Sequence, residues 1–210
     1  MKDSDRRQLY KDFLEAFPLK KLSELALEEY IALKSEKTFC YWLEFKTEIL
    51  GSIKGGNSSK FGIYEFAEKS PKGFLNDKFY CWSSKLGKTS EEAFGKVKDA
   101  IIRIANHASK GEWGEIEKIT ILWPIVTWKI AFLYSNGKLL PIYNKDKWLV
   151  PIASKLGLAN AQNCSMAQLY EFLIEEKKDR DLYEFYDYLC SIKNGSEEKI
   201  DNNVNKRAPV

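Results

Sequence analysis

The stretch from Thr89 to Gly111 constrains the fold of this chain more than any other. Thr89-Ser90-Glu91-Glu92 has the form of a capping box. In that motif an N-cap hydroxyl and a carboxylate three residues on satisfy free N–H groups of a first helical turn. Behind it Phe94, Val97, Ile101, Ile104, Ala105 and Ala108 recur at helical spacing on one face, and Gly111 supplies the stop. A helix of this length with a single apolar stripe has to be covered by a sheet or by other helices. The lone histidine, His107, falls at its C-terminal end, where a cation is favourable, so a structural role is expected for it. No conventional Ser–His or Cys–His triad has support beyond that one position.

Around this helix the pattern alternates irregularly. Leu9, Phe13 and Phe17, ending at Pro18, predict a helix over residues 5–16. Leu22, Leu25, Ala26, Tyr30 and Leu33 predict a second, and residues 38–50 a third that Gly51 ends with a left-handed cap. Strands are expected at 60–67 and 78–83, joined through a Pro-Lys-Gly turn at 71–73. Further strands are expected at 116–122 and 128–134, and at 138–143 after the Asn136-Gly137 turn signal. Pro151 and Gly157 bracket a helix, and Ser165-x-x-Gln168 is a second capping box. A last helix carries Leu182, Phe185, Tyr186 and Leu189. The expectation is an α+β fold: a small, mostly antiparallel sheet with a long central helix and helices at both termini. Strands and helices do not alternate as a Rossmann fold requires. Residues 1–193 read as one domain, with a helical C-terminal part about 145–193, and 194–210 as a polar linker or tail.

The longest apolar stretch, Thr120 to Tyr134, is interrupted by Pro124 and Lys129 and is too short to cross a bilayer, so no membrane partner is expected. The first ten residues, MKDSDRRQLY, are charged and hold no apolar signal core, which makes a cytoplasmic location the default. Cys40, Cys81, Cys164 and Cys190 form no Cys-x-x-Cys pair; they read as reduced, mostly buried thiols, and no metal or other cofactor is expected.

Net charge is only +3, but its distribution is uneven. Residues 38–88 hold 8 basic and 5 acidic groups and residues 119–160 hold 5 and 1, and these blocks also hold most of the tryptophans. That permits a nucleic-acid face on one side of the domain. Within the first block, Leu50-Gly51-Ser52-Ile53-Lys54-Gly55-Gly56 and Lys60-Phe61-Gly62-Ile63-Tyr64 combine glycines, lysines and aromatics. Glycine leaves backbone N–H groups uncovered, and lysine supplies charge for a phosphate. Lys54, Gly55, Gly56, Lys60, Lys85 and Lys88 are therefore candidate DNA-backbone contacts. Trp42, Tyr64 and Trp82 border the same region and are candidates for contact with a base, flipped out if its pocket needs aromatic walls. Trp82 could equally pack in the core.

Two motifs suggest enzymes. Gly87-Lys88-Thr89 has the end of a P-loop, but the first glycine of that motif would fall at Trp82. Glu44-Phe45-Lys46 has the Glu-x-Lys spacing of metal-dependent nucleases, yet its surroundings read as helix, with Glu44 and Lys46 solvated on one face.

Phe39–Tyr64 forms an ordered set with two later stretches. These are Trp82-Ser83-Ser84-Lys85-Leu86-Gly87, with Glu92-Ala93-Phe94 behind it, and Trp128-Lys129-Ile130-Ala131-Phe132-Leu133-Tyr134-Ser135. The set resembles the N-terminal region placed ahead of the AAA+ motor in McrB-type subunits of modification-dependent restriction systems. The likeness spans roughly residues 30–190, and Gly51, Gly55, Gly56, Lys60, Gly62, Trp82, Lys85 and Gly87 match its recurring pattern. The resemblance implies a non-catalytic domain that binds double-stranded target DNA. It also implies a GTP-driven motor C-terminal to Val210 in the parent chain and a separate nuclease subunit. Two alternatives stand beside it: a protein-interaction module that recruits a partner to such a motor, and a metal-dependent nuclease using Glu44 and Lys46.

Overall fold

The computed structural model of the chain describes residues 3–31 and 35–195. In chain order it contains α1 (Asp3–Ala16), a 3-10 turn (Leu19–Glu24), α2 (Leu27–Tyr30) and α3 (Phe39–Tyr41). Helix α3 runs on through a π turn (Trp42–Lys46) and a 3-10 turn (Glu48–Leu50). A 3-10 turn (Ser58–Phe61) leads into β1 (Ile63–Glu65), β2 (Phe74–Asn76) and β3 (Tyr80–Ser83). Then come α4 (Ser90–Lys110), α5 (Trp113–Glu117), α6 (Pro124–Tyr134) and a π turn (Lys145–Leu149) that continues into α7 (Val150–Lys155). A 3-10 turn (Ala161–Asn163), α8 (Met166–Lys177) and α9 (Leu182–Asn194) complete the described chain. The fold is α+β, as expected. No helix among the described residues is long and apolar enough to cross a membrane.

Helix α4 is the axis of the core. Thr89 Oγ1 accepts the Glu92 N–H at 3.2 Å, and Gly111 closes the helix with left-handed backbone. Glu92 departs from the capping box in one respect: its carboxylate takes the N–H of Lys88, at 2.7 Å, rather than that of Thr89. Val97, Ile101 and Ile104 are fully buried, each contributing on the order of 1.5–3 kcal/mol through removal from water. They pack between the sheet and α6. The sheet has strand order β1-β3-β2, antiparallel throughout, with Tyr64 opposite Cys81 and Leu75 opposite Trp82. The Pro-Lys-Gly turn is present, closed by Phe74 N–H to the Pro71 carbonyl at 3.1 Å, and a strand follows it that was not expected.

The second half of the chain contains no strand among the described residues. Residues 128–134 lie in α6, not in a sheet, and 116–122 divide between α5 and coil. From Val126 to Tyr134 every residue of α6 is buried, so apolar side chains face every direction and no 3.6-residue period survives. Pro124 at its first turn was the readable start signal. Asn136 and Gly137 do adopt the left-handed pair of a tight turn, with φ of 55° and 74°, closed by Lys138 N–H to the Ser135 carbonyl at 3.2 Å. That turn reverses the chain after a helix. Lys138–Tyr143 then runs as irregular chain, burying Leu139, Leu140, Ile142 and Tyr143.

The expected second helix is broken at Leu25 and Ala26, both in extended conformation, which lets Leu22, Leu25 and Tyr30 all reach the core. Its last position, Leu33, lies outside the described residues. Of the expected tail, Asn194 ends α9 and Gly195 caps it; the remainder is likewise outside the described residues.

Candidate nucleic-acid interface

Two buried lysines build the glycine-rich loop from below. Lys129 on α6 donates through Nζ to the carbonyls of Thr47, Leu50 and Gly51 at 2.8, 3.0 and 2.7 Å. These carbonyls lie at the C-terminal end of the Phe39–Leu50 helical run, where a cation is most favourable. Burial pushes the Lys129 ammonium well below the ordinary lysine range. Lys60 donates to Glu44 Oε1 at 2.5 Å and to the carbonyls of Ile53 and Gly55, each at 2.9 Å.

The carbonyls of Gly51, Ile53 and Gly55 therefore face the two ammonium groups. Across a trans peptide the next N–H points the opposite way, so the amides of Ser52, Lys54 and Gly56 face away from them. The Lys54 amide is taken by Ser52 Oγ at 3.2 Å. Gly55 and Gly56 hold φ of 92° and 76°, which favours glycine, and both stand exposed at the tip.

Three loops meet behind this tip. A Cβ placed on Gly62 would lie 3.6 Å from Leu86 and 3.5 Å from Leu122, so the loops at 51–62, 84–88 and 120–124 share one corner of the molecule. Lys85 and Lys88 are exposed there, and Lys96 Nζ reaches the Lys85 carbonyl at 3.4 Å. Lys54 is exposed, but its ammonium is paired with Glu48 and lies 5.6 Å from the Phe45 ring centre.

Several expected contacts are corrected by burial. Lys60 is 2% exposed and committed to Glu44, so it cannot meet a phosphate, and Glu44 is its buried partner rather than a solvated residue. Trp82 is also 2% exposed, packed below α4, with its indole N–H on the Gly87 carbonyl at 3.1 Å. Trp42 belongs to the aromatic cluster of Phe13 and Phe17, and Lys46 Nζ covers its ring at 3.7 Å. Neither tryptophan faces solvent as a base-stacking surface. Tyr64 is half-buried on β1, its hydroxyl 3.3 Å from Cys81 Sγ. At the P-loop-like segment, the Glu92 carboxylate holds the Lys88 N–H where a phosphate would have to sit.

The exposed aromatics at this corner are others. Trp123 is 50% exposed, immediately before α6, and its N–H donates to the Lys60 carbonyl at 3.2 Å. Phe45 is 37% exposed beside Lys54. Pro124 was the signal for Trp123, because the residue before a helix-starting proline lies in a loop. Phe45 carried no such signal: the π turn at Trp42–Lys46 adds a residue to the helical turn and moves Phe45 off the apolar stripe.

His107 pairs with Glu112 at 2.6 Å at the end of α4. Cys40 and Cys81 are buried, and Cys164 and Cys190 are half-buried. Among the described residues, no group of three His, Cys, Asp or Glu side chains is placed to hold a metal ion. No protein-family model, curated protein or solved structure matches the chain.

Proposed function

We propose that this chain is the DNA-binding, target-reading domain of a McrB-like restriction subunit and is not itself an enzyme. The observation that carries the reading is the meeting of the 51–62, 84–88 and 120–124 segments around Gly62, which carry exposed Lys85, Lys88 and Trp123. It combines ammonium groups for phosphates with flat side chains on which a base can stack. The three stretches that carry the family resemblance also converge in space. Lys129 of the third supports Gly51 of the first, and Trp82 of the second pairs with Ile63 of the first in the sheet. On this reading the lysines position duplex DNA, the motor lies elsewhere in the parent chain, and cutting belongs to a separate nuclease subunit. The burial of Glu44 against Lys60 weighs against the nuclease alternative.

A second reading keeps support from one feature. Phe79 is 63% exposed at the turn between β2 and β3, and Leu75 on β2 is exposed as well, apolar side chains suited to a protein partner. Fluorescence anisotropy with labelled duplex DNA separates the two. Saturable binding that weakens with salt supports the DNA reader. Absence of duplex binding at low salt favours the protein module.

A further inference from the structure

A cleft of about 240 Å³ opens beside Gly51, lined by Gly51, Ser52, Tyr143, Asn144, Trp148 and Tyr186, with Lys129 Nζ 5.2 Å from the Tyr143 ring centre. Its walls come from separate parts of the chain. Tyr143 lies on the irregular segment after α6, Trp148 on the π turn before α7 and Tyr186 on α9. Tyr143 is fixed in place by its hydroxyl, which donates to the Leu50 carbonyl. Gly51 is what brings the 51–52 backbone against that ring. A Cβ there would fall 2.4 Å from the Pro141 carbonyl oxygen and 2.6 Å from the Tyr143 ring. Nothing in the duplex-binding reading uses this cleft.

Its size and chemistry restrict what it can hold. Drug-sized ligands occupy roughly 300–1,000 Å³, so this space suits one compact ring system. Three aromatic side chains around a small cavity favour a planar, π-bearing guest. The polar edge offers donors. Ser52 Oγ already accepts the Lys54 N–H, which leaves its O–H to give. Asn144 Oδ1 accepts the Lys147 N–H at 2.8 Å, which leaves its amide N–H₂ to give. The free Ser52 O–H and Asn144 N–H₂ suit a guest edge that carries acceptors, such as ring carbonyls or ring nitrogens. An ammonium stands by the Trp148 wall, with Lys193 Nζ 5.8 Å from the ring centre, and the segment after Asn144 carries Lys145 and Lys147 with Asp146 between them.

We propose that this cleft binds one nucleobase attached to a phosphate, the ring between Trp148 and the tyrosines, its acceptor edge toward Ser52 and Asn144, and the phosphate at Lys193 and the lysines after Asn144. A free nucleotide and a base swung out of a nucleic acid present this same chemistry, and the test tells them apart. The site does not depend on the duplex interface at Trp123 and Lys85.

The experiment follows the indole N–H signals of the full chain by NMR, with the Trp148 signal assigned by its loss in Trp148→Phe. Each of the common nucleoside monophosphates, and the corresponding nucleosides, is titrated in. For at least one monophosphate the Trp148 signal should shift saturably, with a dissociation constant at or below about 1 mM. Its nucleoside should bind about tenfold more weakly, because those lysines lose their partner. Ser52→Ala, an exposed and gentle change, should weaken binding several-fold. Trp148→Phe, followed through ligand signals, should retain binding that Trp148→Ala loses. If Trp148→Ala does not fold, Ser52→Ala and the nucleoside comparison decide.

Competition then identifies the source. Displacement of the monophosphate by a duplex carrying an unpaired base, and not by a fully paired one, assigns the cleft to an extruded base. Monophosphate binding that neither duplex disturbs assigns it to a free nucleotide. No saturable Trp148 shift with any monophosphate or with the unpaired-base duplex overturns the proposal. Duplex affinity read by anisotropy on the same samples keeps the two ideas separate. Loss of duplex binding with nucleotide binding intact would sink only the duplex reading, and the reverse result only this one.

Discussion

Lys60 Nζ sits 2.5 Å from Glu44 Oε1 inside the core, with both side chains almost wholly removed from water. The pair joins the helical run that begins at Phe39 to the 3-10 turn at Ser58–Phe61, and through Ile53 and Gly55 it fixes the loop between them. Burying two charges is costly, and their attraction with good secondary hydrogen bonds offsets that cost only while both partners are present.

Lys60→Ala should therefore act on folding. It strands the Glu44 carboxylate and two carbonyls, at a cost of about 3–5 kcal/mol. The double variant Glu44→Leu/Lys60→Met should recover much of that loss, because matched apolar partners leave no unpaired charge. Urea unfolding of the single and double variants measures both. A Lys60→Ala variant as stable as the parent, with lower DNA affinity, would return Lys60 to the surface.

Lys129 gives a pH test. Burial depresses its pKa well below 10.5, so folded chains release this proton at lower pH than unfolded chains do. Between the depressed value and about 10.4 the unfolded state binds more protons, and stability attributable to Lys129 rises with pH. Lys129→Met removes that dependence and leaves the Gly51 carbonyl without its partner, at a cost on the order of 1–3 kcal/mol, while the Thr47 and Leu50 carbonyls keep the Leu50 N–H and the Tyr143 hydroxyl. The stability difference between parent and variant should widen as pH rises from neutral toward about 10. Tyrosines with raised pKa values act in both proteins and cancel in the difference. A flat difference across that window would contradict a depressed Lys129.

Two tryptophans should separate cleanly. Trp82→Ala removes a buried indole and its hydrogen bond to Gly87, costing about 3–5 kcal/mol of folding stability. Trp123→Ala should change stability by no more than about 1 kcal/mol, yet cost about 1–3 kcal/mol of DNA affinity if a base stacks on it. Thermal melts and anisotropy titrations on both variants give the comparison. Unchanged DNA affinity in Trp123→Ala would take that ring out of the interface.

What could be read from the sequence was local chemistry. Thr89, Gly111, Ser165 and the Asn136-Gly137 pair all do what their backbone preferences dictate, because caps and tight turns are decided within a few residues. The class of fold followed from α4. The 116–143 region did not, because α6 is apolar on every side and its residues satisfy strand and helix patterns equally. The site was half legible for a related reason. Glycines, lysines and aromatics cluster in sequence at 39–64 whether they face solvent or the core. Nothing local distinguishes Lys60, buried on Glu44, from Lys85, exposed on the surface. Only the path of the chain, which brings Glu44 and two carbonyls around one ammonium, separates them.

The salt dependence of duplex binding tests the central claim most directly. Log affinity should fall steeply against log salt for the parent chain. In Lys85→Ala/Lys88→Ala the slope should lessen by about two units, near 0.9 for each phosphate no longer neutralised, with folding unchanged because both side chains are exposed. No saturable duplex binding at low salt, or the same slope and affinity in the double variant, would contradict a DNA-reading face at this corner of the molecule.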